Sequence, residues 1–208
     1  MTGAIAGLYA ITSSALQPGD QLQQAVAAAI RGGAQAVQYR DKSSDTGQRQ
    51  TAAAALADLC RAAGVYFIVN DDVALAAAVG ADGVHIGQDD AGIAAARAQL
   101  GPQVIIGVSC YNSLERAADA LAAGADYLAF GSVYPSPTKP QAVRAPLSLF
   151  AEARELTDRP LVAIGGINSD NAGAVRTAGA DAVAVIEGVF GATDIELAAA
   201  AIAKQFND

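Results

Sequence analysis

Tryptophan is absent from the chain, histidine occurs once and cysteine twice. Without tryptophan, and with alanine very frequent, the composition points to close packing of helices on a sheet rather than to an aromatic recognition surface. Cys60 and Cys110 are too few for a disulfide framework or a zinc site, and no His/Cys cluster offers a softer metal a home. Few cysteines suit a reducing compartment, so the expected location is the cytoplasm. No apolar run approaches the ~18 residues of a membrane span, and the N-terminus lacks the charged-then-apolar pattern of a secretory signal. The formal charge of −8 excludes a general nucleic-acid or anionic-membrane binder. An anionic ligand must therefore be met by local positive charge or by a metal. Lysine is scarce too, at positions 42, 139 and 204 only.

What is present is a repeat. Gly33-Ala-Gln-Ala-Val-Gln38, Gly80-Ala-Asp-Gly-Val-His85, Gly124-Ala-Asp-Tyr-Leu-Ala129 and Gly179-Ala-Asp-Ala-Val-Ala184 each follow an alanine-rich helical pattern and open a short β-prone run. The glycine supplies a left-handed cap and a tight turn into the strand. Four more apolar runs lie between them, at 7–11, 65–69, 104–108 and 161–164. Runs without strict alternation are buried on both faces, as parallel strands are. Eight strands alternating with eight helices predict a single-domain α/β fold, a (β/α)₈ TIM barrel over residues 1–208. An open doubly wound sheet is the competitor, and the Gly-x-Gly-x-x-Gly turn it would carry after the first strand is missing.

Chemistry in such barrels sits at the C-terminal strand ends. Strand 2 ends in Gln38-Tyr-Arg-Asp-Lys42, where residues 38, 40 and 42 alternate in phase and would converge on an anion. Strand 3 ends in Asn70-Asp-Asp72 and strand 4 in Gln88-Asp-Asp90. One aspartate of each pair is expected to cap the next helix. That leaves a carboxylate at each of two neighbouring strands, a set suited to a Mg²⁺–polyphosphate complex. Ser109, ending strand 5, either donates to a phosphate or caps the following helix, and Cys110 reads as packing. His85, inside strand 4, reads as a core histidine. Strand 6 leads into a long loop carrying Pro135, Ser136, Pro137, Thr138, Lys139 and Pro140. Its restricted backbone and hydroxyl–ammonium set suggest a binding loop. Gly165-Gly166 after strand 7 and the short turn after Ile186 form the recurrent phosphate cup of these barrels.

Taken together, Gln38-Tyr-Arg-Asp-Lys42, Asn70-Asp-Asp72, His85-Ile-Gly-Gln-Asp-Asp90, Ser136-Pro-Thr-Lys139 and Ala163-Ile-Gly-Gly-Ile167 resemble the thiamine-phosphate synthase family, collinearly over essentially the whole chain. The resemblance implies transfer of a pyrimidinylmethyl group from its diphosphate to a thiazole phosphate, with diphosphate leaving first. By matching position it implies Gln38, Arg40, Lys42, Asn70, Ser109 and Lys139 for the pyrimidine diphosphate. Of these, Arg40, Lys42, Ser109 and Lys139 would stabilise the departing charge. Asp71 and Asp90 would hold one Mg²⁺. Ser136, Pro137, Thr138, Gly166, Ile186 and Glu187 would hold the thiazole phosphate, with the loop after strand 6 closing as a lid. Glu187 departs from the serine common in the family, and a carboxylate repels phosphate, so either its backbone N–H alone makes the contact or its side chain turns away. The partners implied are small molecules, with a homo-oligomer left open. A thiazole tautomerase-like relative would need a histidine after strand 6, and none follows position 85. A Schiff-base aldolase using Lys42 or Lys139 and a non-catalytic thiamine-precursor sensor are the remaining rivals. The sensor would have no use for carboxylates that hold a metal on a leaving group.

Overall fold

The computed structural model describes residues 5–206 apart from 18, 20, 44, 88–91 and 137–140. Eight strands close into one parallel barrel in sequence order. They are β1 (Gly7–Ile11), β2 (Ala34–Tyr39), β3 (Tyr66–Asn70), β4 (Gly83–Ile86), β5 (Ile105–Tyr111), β6 (Tyr127–Gly131), β7 (Leu161–Ile164) and β8 (Ala182–Val185). The helices outside are α1 (Gln21–Arg31), α2 (Thr46–Ala63), α3 (Val73–Val79), α4 (Ile93–Leu100), α5 (Leu114–Ala122), α6 (Ser148–Arg154) and α7 (Ala172–Thr177). A short α8 (Glu187–Phe190) precedes the closing helix, α9 (Ile195–Ala203). The expected barrel is present, with α8 as an additional turn at the end of β8. No helix among the described residues is long and apolar enough to cross a membrane.

Alternation along each strand divides the core in two. One set, including Leu8, Val37, Val69, Val84, Ile106, Leu128 and Val183, faces the alanine-rich helices. The other set fills the barrel interior with Tyr9, Ile11, Ala36, Ile68, Ile105, Tyr127, Ala129, Val162, Ala182 and Ala184. Small residues on the helices let them lie close to the sheet, which is what the alanine content allows.

The glycine of each repeat has positive φ, from 62° at Gly80 to 106° at Gly179, as the sequence pattern predicts. The aspartate two residues later does something the pattern alone did not disclose. Phe67 N–H donates to the Asp82 carboxylate (2.8 Å) while Asp82 N–H donates to Phe67 O (2.9 Å). Ile106 and Asp126 form the same reciprocal pair at 2.9 and 2.8 Å, and Leu161 and Asp181 at 2.7 and 2.9 Å. Each aspartate thus pins the start of an odd-numbered strand to the start of a neighbouring even one, at the end of the barrel opposite the strand C-termini. The repeat opening β2 has Gln35 instead, lying against Gly7.

Candidate active site

The C-terminal strand ends enclose a cavity of about 380 Å³. Its wall includes Gln38, Arg40, Asn70, Ser109, Ser136, Gly166, Ile186 and Glu187, so eight of the residues singled out from the sequence meet in one place. The inward phase of β2 delivers Gln38, which is buried, and Arg40 just beyond the last strand residue. Arg40 N–H is held by the buried Thr12 hydroxyl at the end of β1 (3.0 Å). The Arg40 guanidinium has no acceptor among the described residues, leaving a fork of donors at the wall of the cavity.

Lys42 does not join this wall. Strand pairing stops at Tyr39, so alternation cannot be carried on to residue 42, and its side chain is exposed. Asp71 sits at the lip of β3 with a left-handed φ of 64°, its N–H donating to His85 O (2.8 Å) and its carboxylate accepting from the Asn70 amide. Its neighbour Asp72 is the cap: the carboxylate accepts from Leu75 N–H (2.9 Å) and pairs with Arg49 (2.7 Å). The cap expected at β3 is therefore present. At β4 the N-cap is not an aspartate: α4 begins at Ile93 and its N-cap is Gly92, which makes no side-chain capping bond. An aspartate at 89 or 90 stands too early in the chain to take that position. Asp90, Pro137, Thr138 and Lys139 lie outside the described residues.

Ser109 is not a helix cap either. Ser113 caps α5 by accepting from Arg116 N–H (3.1 Å), while Ser109 turns into the cavity. Cys110, on the opposite face of β5, is fully buried, and burial pushes its thiol up to about 12. This is packing, not a nucleophile.

Gly165 and Gly166 both have positive φ (104° and 63°), and their need for glycine is partly mechanical. A Cβ on Gly165 would fall 2.0 Å from Ser132 Oγ, and one on Gly166 would fall 2.2 Å from Pro135 O. The loop leaving β6 lies directly on them, with Val133 N–H donating to Ile164 O (2.9 Å) and Tyr134 N–H to Gly165 O (3.0 Å). The Gly166 N–H makes no bond among the described residues. Beside it, the Glu187 and Gly188 N–H groups that open α8 make no bond among the described residues, whereas Val189 and Phe190 N–H donate to Ile186 O (3.2 and 2.8 Å). Glu187, which opens α8, folds its carboxylate back along its own helix: a Cβ on Gly191 would stand 2.8 Å from Glu187 Oε1. The Glu187 N–H makes no bond among the described residues.

Three cavity features were not legible beforehand. Tyr111 lines the wall with a left-handed φ of 56°, and Arg116 stacks over its ring at 5.2 Å. Below it the two interior tyrosines, Tyr9 and Tyr127, hydrogen-bond each other at 3.0 Å. His85 joins this pair to the site, with Nδ1 on Tyr127 OH (2.9 Å) and Nε2 on Ser109 Oγ (2.8 Å). The only signal for the tyrosines was polar aromatic residues at inward-facing strand positions.

The thiamine monophosphate synthase family model matches residues 8–189. The thiamine-phosphate synthase of Thioalkalivibrio sulfidiphilus is 56% identical over 200 residues, covering 96% of this chain and 95% of that protein. The thiamine-phosphate synthase of Chromobacterium violaceum is 56% identical over 206 residues, covering 99% of each. Among solved structures, thiamine phosphate pyrophosphorylase from Pyrococcus furiosus superimposes with a TM-score of 0.87 at 40% identity, over 97% of this chain and 95% of that one. Barrel, family model and full-length identity agree, and this chain belongs to the thiamine-phosphate synthase family.

Proposed function

We propose that this cavity joins 4-amino-5-hydroxymethyl-2-methylpyrimidine diphosphate to hydroxyethylthiazole phosphate, giving thiamine phosphate and diphosphate. The observation that carries the reading is the convergence, in one cavity, of two anion-directed sets. Arg40, Gln38, Asn70 and Ser109 form one, and Gly166 with the first turn of α8 forms the other. Two phosphorylated substrates require two such sets, with the reacting carbon and nitrogen between them.

The bond that breaks is methylene carbon to diphosphate oxygen, and the bond that forms is methylene carbon to thiazole nitrogen. Negative charge grows on the departing diphosphate, and fixed donors aimed there lower the barrier. Arg40 and Ser109 supply them from β2 and β5, and Lys42 and Lys139 complete the set in this reading. Asn70 and Gln38 orient the pyrimidine. The thiazole nitrogen already has a lone pair, so no general base is needed.

Asp71 presents an oxygen ligand at the lip of β3. That fits a hard cation that takes one or two carboxylates and completes its shell with phosphate oxygens. Asp71 and Asp90 would hold one Mg²⁺, which when bound neutralises charge on the diphosphate. Ser136, Pro137 and Thr138, with Gly166, Ile186 and the Glu187 N–H, hold the thiazole phosphate. The loop after β6 closes over both substrates and keeps water from the cationic carbon. The protein works in the cytoplasm on these small molecules.

Purified chain given both substrates and Mg²⁺ will form thiamine phosphate and diphosphate in equal amounts, and chelation will stop it. Folded protein that yields no thiamine phosphate overturns the reading.

A further inference from the structure

Gln38, Tyr9, Tyr127, His85 and Ser109 form one unbroken hydrogen-bond chain through the barrel interior, from β2 by way of β1, β6 and β4 to β5. The links are Gln38 Nε2 to Tyr9 OH at 2.8 Å, Tyr9 OH to Tyr127 OH at 3.0 Å, Tyr127 OH to His85 Nδ1 at 2.9 Å and His85 Nε2 to Ser109 Oγ at 2.8 Å. Gln38, Tyr9, His85 and Ser109 line the cavity, and the two phenols are buried: Tyr9 is 1% exposed and Tyr127 0%.

We infer that this chain has a fixed polarity, which holds His85 as the Nε2–H tautomer and obliges the Ser109 hydroxyl to donate into the cavity, with Tyr127 as the positioning residue. The polarity follows from counting protons. An amide nitrogen only donates, so Tyr9 OH accepts from Gln38. The proton of Tyr9 then has one acceptor in the chain, the oxygen of Tyr127, and the proton of Tyr127 goes to His85 Nδ1. A neutral imidazole carries one N–H, which is now on Nε2 and donates to Ser109 Oγ. The serine proton is left to the one open side, the cavity. In the reverse direction Tyr9 would receive two donors, and its own buried proton would have no acceptor in the chain. Burial holds both phenols well above their ordinary value, so they remain donors.

Two consequences separate this arrangement from ordinary packing. A serine and a histidine 2.8 Å apart look like a nucleophile and its base, but activation of a serine needs Nε2 as acceptor and Nδ1 as donor. Here Tyr127 imposes the opposite tautomer, so Ser109 acts as a donor to an anionic oxygen. The path is also held in place: a Cβ on Gly107 would fall 1.9 Å from Tyr127 Cζ, so glycine at the middle of β5 is what lets the Tyr127 ring cross the barrel. The inference rests on the functional reading only for the identity of the anion.

Because His85 is the only histidine, long-range ¹H–¹⁵N spectra of the labelled chain without ligand report its tautomer directly. The expected pattern is protonated Nε2 with unprotonated Nδ1; protonated Nδ1 overturns the inference whatever the enzyme makes. Tyr127→Phe should release the tautomer to a mixture. The second measurement is a double-mutant cycle on the affinity for inorganic diphosphate with Mg²⁺. Ser109→Ala should weaken binding about tenfold or more, as for a lost bond to a charged group. Tyr127→Phe should weaken it in the wild-type background and have no further effect beside Ser109→Ala. Equal effects of Tyr127→Phe in both backgrounds would reduce Tyr127 to a packing residue. Should Tyr127→Phe fail to fold, the wild-type tautomer still decides.

Discussion

The two ends of the barrel use the same polar residue types in opposite ways. At the strand N-termini the polar groups face one another and are fully engaged. Asp126 accepts from Ile106 N–H and pairs with Arg97 (2.6 Å) and Arg159 (3.5 Å), and Asp181 accepts from Leu161 N–H and pairs with Arg154. At the C-termini, Arg40 and the Gly166 N–H have no acceptor among the described residues, and the Glu187 carboxylate is folded away. Groups satisfied within the protein stabilise it, whereas groups left waiting for a ligand cost stability and provide binding. In a chain of −8, the Arg40 guanidinium is a local positive charge at that end with no acceptor among the described residues.

Mutations that trade on this contrast should separate activity from stability. The largest effect is expected from Arg40→Ala, which should lower turnover by ~10²–10³, the usual range for removing one electrostatic donor from such a site. Its melting temperature should be unchanged or raised; a large drop would move Arg40 from function to structure. At the other end, Asp126→Ala leaves the Ile106 N–H without its acceptor and takes the carboxylate partner from Arg97 and Arg159, a loss of ~1–3 kcal/mol. That should appear as several degrees in Tm with kcat/KM intact in the folded fraction, and reduced kcat/KM would couple the two ends.

The smallest effect separates the interior from both ends. Burial raises the thiols of Cys60 and Cys110 from 9.0 to about 12 and lifts the Tyr9 and Tyr127 phenols above 10.0. With folded values above unfolded ones, the unfolded chain gives up its protons first. This contribution is complete below the unfolded values and is lost as pH rises through them toward the folded ones. The loss should be under ~1 kcal/mol at about pH 9 and steepen above it, at about 1.4 kcal/mol per group per pH unit. Thermal melts across that range check it. Melts that stay flat while turnover falls would instead place the titrating group at the mouth.

Much of this was readable along the chain because it depends on local chemistry. The repeat glycines with their positive φ, the strand phase that turns Gln38 and Arg40 inward, and the aspartate at 72 that caps α3 all follow from neighbours a few residues apart. Phase reasoning ran out where a strand ended, as at Lys42, and capping reasoning ran out where a helix began later than its aspartates, as at Gly92. Ser109 was ambiguous for a similar reason, since a hydroxyl at a strand end can cap or bind until the start of the next helix is known.

Barrel closure decided the rest. It set Tyr9 against Tyr127 across 118 residues of sequence, put His85 beneath Ser109, and made Gly107 the space through which a tyrosine passes. It also gave the repeat aspartates their shared task, because strands consecutive in sequence became hydrogen-bonded neighbours. Periodicity and capping act through the backbone over one or two turns, so residue order suffices to specify them. Contacts across a barrel interior depend on register and closure, which exist only once all eight strands have paired.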